Sequence, residues 1–159
     1  MTKTIAINIL MLLGCISYTN AQDMDNQQLN TIIYSITDEV EGAPGNWQFV
    51  IDSTLFICLT DELHNRMRII APIDKMENIT EEQINRCMQA NFHTALDVRY
   101  SISDGILWSA YIHPLKELTQ EQVISGISQV YSCTRTFGTS YSSGALSFPT
   151  QEERDAQQN

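Results

Sequence analysis

Three histidines and four cysteines carry the most reactive side chains of this 159-residue chain. A metal site needs its ligands clustered at helix or strand spacing. His64, His93 and His113 are scattered, and none has a second His or Cys at i+2 or i+4. Cys87 and His93 have the chemistry of a nucleophile and its base. They lie six residues apart, a poor helical pair, and Cys87 falls in an apolar stripe where a thiol packs as a small hydrophobe. Ser140 to Gly144 contains Ser-Ser-Gly but no G-x-S-x-G elbow, and no glycine-rich phosphate loop follows a strand pattern. Asp97 and Arg99 share one strand face and could form an ion pair, while His113-Pro114 ends a strand. Asn78-Ile79-Thr80 is a glycosylation triplet that reads here as a helix start. These residues predict no catalytic centre, no metal and no cofactor.

The elements that would position any site begin after a targeting segment. Lys3 supplies a positive n-region, and Ile5 to Leu13 is an apolar stretch too short to span a bilayer. Residues 17–21 turn small and polar, so residues 1–21 read as a signal peptide cleaved after Ala21. Leu12-Leu13-Gly14-Cys15 also resembles a lipobox, and lipidation at Cys15 is the one route by which a membrane would become a partner. Either outcome predicts export, with the periplasm as destination. Cleavage after Ala21 removes Lys3, so eight cations face nineteen anions, a formal charge of −11. That balance argues against nucleic acid and anionic lipid, which reward basic patches. Cys58, Cys87 and Cys133 remain, an odd number without C-x-x-C, which is neither a disulfide scaffold nor a zinc site. A Cys87–Cys133 bridge between two helices stays open.

Periodicity predicts one α+β domain over residues 22–148, in the order α-β-β-β-α-β-β-α, followed by a disordered polar tail over 149–159. A first helix over 26–41 carries Leu29, Ile32, Ile33, Ile36 and Val40 on one face and stops at Gly42, Pro44 and Gly45. Three alternating strands follow, around Trp47–Ile51, Leu55–Thr60 and Arg66–Ala71, with Pro72 ending the meander. Thr80 with Gln83 and Thr119 with Gln122 form capping boxes that open the second and third helices. Ile84, Cys87, Met88, Phe92 and Ala95 form the expected buried face of the second helix, and Val123, Ile127, Val130, Thr134 and Phe137 that of the third. Between them run strands over 96–102 and 106–112, and Gly138 closes the last helix.

Alternation also suggests the strand registers. A two-residue Asp104-Gly105 turn would set Tyr100 beside Ser109, whereas a three-residue loop opposes Ile102 to Ile106 and Tyr100 to Trp108, gathering apolar residues on one face. The same logic opposes Ile51 to Leu55 and Leu59 to Met67. The expected core face is then Trp47, Phe49, Ile57, Ile69, Tyr100 and Trp108, packed under the first and third helices. The other face receives Val50, Phe56, Ile70, Leu107 and Tyr111, an apolar row where a solvated face would be polar. Those five residues are the predicted binding site. Their cover is the second helix, a second subunit or a partner segment.

Ala90-Asn91-Phe92-His93, Asp97-Val98-Arg99-Tyr100, Asp104-Gly105-Ile106-Leu107-Trp108, His113-Pro114-Leu115 and Phe137 to Gly144 carry a family pattern. With the element order, they make the stretch from Asp25 to Phe148 resemble the type III secretion chaperone-like fold, the Tir-chaperone and YbjN group. The resemblance implies small acidic proteins, usually homodimers, that hold an unfolded partner segment against an apolar surface. Secretion chaperones work in the cytoplasm, so an exported member departs from the pattern in location. The reading of function is therefore a non-catalytic, chaperone-like binding domain of the cell envelope. A structural homodimer with no other ligand is the alternative, and an extracytoplasmic hydrolase the third.

Overall fold

The computed structural model describes residues 23–146. The signal segment with Cys15 and the tail over 149–159 lie outside them, as does Phe148. Helix α1 (Asn26–Ile36) is capped by Asp25, whose carboxylate accepts from the Gln28 N–H. It ends five residues earlier than expected, because Thr37 is extended and turns its hydroxyl to the Val50 carbonyl at 2.9 Å. Val40 leaves the helix for an additional edge strand, β1 (Val40–Ala43), which pairs with β2 (Asn46–Ile51) across Pro44-Gly45. Gly45 sits at φ +103, as a type II turn requires after proline. Gly42, at φ +100, has no room for a Cβ, which would lie 2.2 Å from the Asn46 carbonyl oxygen.

Strands β3 (Thr54–Asp61) and β4 (Arg66–Lys75) continue the meander. Pro72 does not end β4. It sits at a register shift between Pro72 and Asp74, the kind of position where a missing N–H is tolerated. A 3₁₀ turn, Met76–Asn78, leads to helix α2 (Glu81–His93). Strands β5 (Val98–Ser103) and β6 (Ile106–His113) form the second hairpin, and helix α3 (Gln120–Thr136) follows. Both expected capping boxes are present, at Thr80 with Gln83 and Thr119 with Gln122. The six strands form one antiparallel sheet in the order β1-β2-β3-β4-β6-β5.

The hairpin registers differ by one residue from the sequence expectation. Asp104 and Gly105 sit at φ 52 and 73, and Asp52 and Ser53 at φ 46 and 63. Both are two-residue turns with left-handed central residues, whose twist suits a tight hairpin. Ile102 therefore opposes Leu107, Tyr100 opposes Ser109, and Ile51 opposes Thr54. Met67 opposes Thr60, and Leu59 opposes Arg68. The feared mismatch of Ser109 on the core face does not arise, since its hydroxyl donates to the Val130 carbonyl of α3 at 3.1 Å.

All three helices are tied to the same sheet face. The Trp47 indole donates to Asn30 of α1 at 2.9 Å, and the Tyr100 hydroxyl donates to the Cys133 carbonyl of α3 at 3.0 Å. Gly126 lets α3 rest on the Tyr111 ring, where a Cβ would come within 2.9 Å of two ring carbons. Helix α2 buries Cys87 and Ala90 but leaves Met88 and Phe92 50% and 76% exposed, so its inner face is rotated from the expected stripe. Asn91 bonds both the N–H (2.7 Å) and the C=O (3.2 Å) of Tyr100, holding α2 along the β5 edge. After α3, Thr136 and Thr94 bond the backbone of Ser142 and Tyr141, and the Tyr141 ring is buried between them. Leu146 stays exposed.

Candidate protein-binding face

The turn geometry decides which side chains each sheet face carries. Trp47, Phe49, Phe56, Cys58, Met67, Ile69, Ala71, Val98, Tyr100, Leu107, Ser109 and Tyr111 face the helices and are buried. Three of the five predicted site residues, Phe56, Leu107 and Tyr111, thus belong to the core. Phe56 is fully buried and stacks on Phe49 with ring centroids 5.2 Å apart. The Tyr111 ring lies parallel to His113. The reason is that these hairpins turn on two residues rather than three, and a shift of one residue moves every side chain of a strand to the opposite face.

Val50 and Ile70 do lie on the open face. Around them the register gathers residues that the sequence reading assigned to the core or passed over. One row runs Gln48–Ile57–Ile70–Ala110 and the next Asn46–Leu59–Arg68–Ile112, and beyond them Val50 pairs with Leu55 and Pro72 with Trp108. The three central strands therefore present Leu55, Ile57, Leu59, Ile70, Pro72, Trp108, Ala110 and Ile112 as one apolar surface. Leu55 and Ile112 are 39% and 59% exposed, and Val50, Ile57, Leu59, Ile70 and Trp108 are half-buried. The Trp108 indole N–H donates to the Ser103 carbonyl at 3.2 Å, which lays the ring against its own hairpin. The signal that could have found this surface is the Asp-Gly dipeptide, a strong marker of a two-residue hairpin turn.

The charged rim is asymmetric. Glu41 opposes Gln48 at the β1 edge, while Arg66, Arg68 and Arg99 occupy the β4 and β5 side. Arg99 makes no ion pair with Asp97. Its guanidinium donates to the carbonyls of Leu96 and Val98, and the Asp97 carboxylate accepts from Gln129 at 3.1 Å. Asp61, opposite Arg66, is engaged by His64 at 2.7 Å, and that bond holds its carboxyl below the usual range.

The remaining reactive groups do not converge. His64 is exposed on a turn, and His113 bonds the Pro114 carbonyl. Cys58, Cys87 and Cys133 are separate buried thiols, so α2 and α3 are not bridged. Burial pushes the Cys87 and Cys133 thiols up to about 11, far from a reactive thiolate. Among the described residues no group of three His, Cys, Asp or Glu side chains could hold a metal ion. No described helix is long and apolar enough to cross a membrane.

No family model matches the chain, and no curated protein matches its sequence. Solved structures do. A chain of the type III secretion chaperone SycH of Yersinia pestis, in complex with a stable fragment of YscM2, superposes with a TM-score of 0.55 at 11% identity over 70% of this chain and 98% of its own. A chain of the HopA1–SchA chaperone–effector complex gives 0.52 at 11% identity, over 70% and 94%. One of the ExsC–ExsE complex gives 0.51 at 13% identity, over 72% and 97%. The helices and antiparallel sheet described above are thus those of the secretion chaperone fold.

Proposed function

We propose that this chain, built on the secretion chaperone fold, is a non-catalytic binding domain that holds a protein segment on the open face of its sheet. The observation that carries this reading is the uncovered apolar surface of β3, β4 and β6, from Leu55 to Ile112. An antiparallel sheet with one solvated face alternates apolar with polar residues, and β3 and β6 do not. The solved neighbours support it, since all three come from complexes. Shared fold alone does not carry function, so the weight rests on the surface itself. The occupant is a segment of a partner protein or a second copy of this chain. The export reading of residues 1–21 places that encounter in the periplasm or at the envelope, and N-terminal sequencing of protein from the producing cell should begin at Gln22 or a modified Cys15.

Leu55→Asp and Ile112→Asp test the face. Both residues are exposed, so the variants should keep the wild-type melting temperature within a few degrees. Light scattering and recovery of proteins from the exporting cell then read the occupant. A dimer that becomes monomeric identifies a second copy, and a lost co-purifying protein identifies a partner. Folded variants with unchanged mass and unchanged recovery would refute the reading.

A further inference from the structure

The arginines of the open face say what kind of segment it takes. The whole chain has nine Lys and Arg against nineteen Asp and Glu, so its average surface repels anions. Three of those nine cations nevertheless stand on this one sheet face by register. Arg68 lies between Leu59 and Ile112 in its row, Arg99 lies across Ala110 from Ile70, and Arg66 is two residues before Arg68 on the same side of β4. All three are exposed, and none makes an ion pair among the described residues. Both described lysines are placed differently. Lys75, at the far end of β4, is paired with Glu77 at 3.6 Å, and Lys116 is in the loop before α3. The choice of arginine matters, because its planar fork can take a carboxylate with two parallel bonds. Arg99 is drawn to the sheet edge, where its guanidinium donates to the carbonyls of Leu96 and Val98 beside Asp97 and Gln129.

We propose, resting on the binding role argued above, that the segment held on this face is acidic and amphipathic. Its apolar side chains cover Ile57, Ile70 and Ile112, and its carboxylates meet Arg68 and Arg66, with Arg99 at the β5 edge beyond them. With Glu41 at the β1 edge and the arginines on β4 and β5, the carboxylates of the segment lie over the β4 to β5 half of the sheet, away from β1.

The test sets local charge against net charge. Fluorescent peptides of about twelve residues share four leucines and carry four Glu, four Lys or four Ser, and their anisotropy is titrated with the full chain. The expected order is Glu over Ser over Lys, with the Glu peptide about tenfold tighter than the Ser peptide at about 50 mM salt. Raising salt to about 300 mM should close that gap. Arg68→Glu should reverse the order while leaving the Ser peptide unchanged. The protein's overall charge acting alone predicts the opposite, with Lys binding best and salt strengthening the Glu peptide. That result, or equal binding of all three, overturns the acidic segment while the apolar face stands. A dimer split by Leu55→Asp overturns it as well, because a second copy then fills the face. If no peptide binds and Leu55→Asp changes neither mass nor recovery, this inference falls together with the binding role beneath it.

Discussion

Aspartate placed in turn at positions 55, 56 and 57 tests the strand parity on which the binding face rests. Phe56 is fully buried and stacked on Phe49. Losing such a ring costs roughly 3–5 kcal/mol, and leaving an unpaired carboxylate in its place adds at least a few more. A domain of this size has only about 5–15 kcal/mol in hand, so Phe56→Asp should be unfolded at room temperature. Leu55 is 39% exposed on the open face, and its aspartate keeps contact with water. That variant should lose about 1 kcal/mol or less. Ile57 is half-buried between Gln48 and Ile70, and its replacement should cost roughly 1–2 kcal/mol. Urea unfolding followed by circular dichroism and tryptophan fluorescence reads all three. The 55 and 57 variants should show cooperative transitions with unchanged slope, and the 56 variant none. A folded Phe56→Asp beside an unfolded Ile57→Asp would shift β3 by one residue and destroy the reasoning. Equal collapse of all three would mean that the chain covers both faces by itself.

Gly42→Ala should cost about 2 kcal/mol or more, because it combines a left-handed backbone with a Cβ 2.2 Å from the Asn46 carbonyl oxygen. Gly105→Ala meets nothing within 4 Å and should cost only the backbone strain, about 1–2 kcal/mol; parallel thermal melts compare the two, and equal losses would deny the close approach at Gly42. The thiols give a pH prediction. Burial raises Cys58 to about 12 and Cys87 and Cys133 to about 11. A neutral thiol favours the fold, so this contribution is complete below the unfolded value near ~8.5 and disappears as pH rises through 11 to 12. Melting temperatures should hold up to about pH 8.5 and fall above it, and Ellman's reagent at about pH 8 should label the thiols only after denaturant is added. Rapid labelling of the native chain would contradict their burial.

Much of the architecture was legible because local chemistry specified it. Thr80 with Gln83 and Thr119 with Gln122 opened both later helices where the capping pattern says they must. The element order was right apart from β1, which hid inside an apparent helical stripe because Val40 continues the spacing of Ile32, Ile33 and Ile36. A helix period cannot show that Thr37 turns its hydroxyl to the Val50 carbonyl, a contact made only after β2 is in place. The candidate face was half legible. That an apolar sheet face exists follows from the strand composition, but its membership depends on loop length, and alternation judged only by polarity chose wrongly. Ser109 was the deciding residue. Polarity alone makes it an intruder on the core face, and in the structure the Val130 carbonyl of α3 satisfies it. No sequence pattern announces that acceptor. The isolated dipeptide Asp104-Gly105 argued for the correct register and was outvoted.

The same parity that removes Phe56, Leu107 and Tyr111 from the binding face gives its footprint. β3 reads Leu55-Phe56-Ile57-Cys58-Leu59 without a polar break, and β6 reads Ile106 to Ile112 with only Ser109 interrupting. Unbroken apolar runs belong to strands covered on both sides. β1 and β2 present Glu41, Asn46 and Gln48 on the open side, and β5 presents Arg99 and Ser101. The demand for a cover is therefore confined to the three central strands, a strip about 14 Å across at ordinary strand spacing. One amphipathic helix or a pair of strands fills that width. Arg66 and Arg68 stand on β4, the middle strand of this strip, and Arg99 stands on β5 beside it; none makes an ion pair among the described residues. An occupant that satisfies both the apolar run and these arginines needs carboxylates over β4 as well as toward β5. A uniformly apolar segment would leave Arg68 facing Leu59 and Ile112 with no counter-charge once water is displaced, and that desolvation penalty is what selects against it.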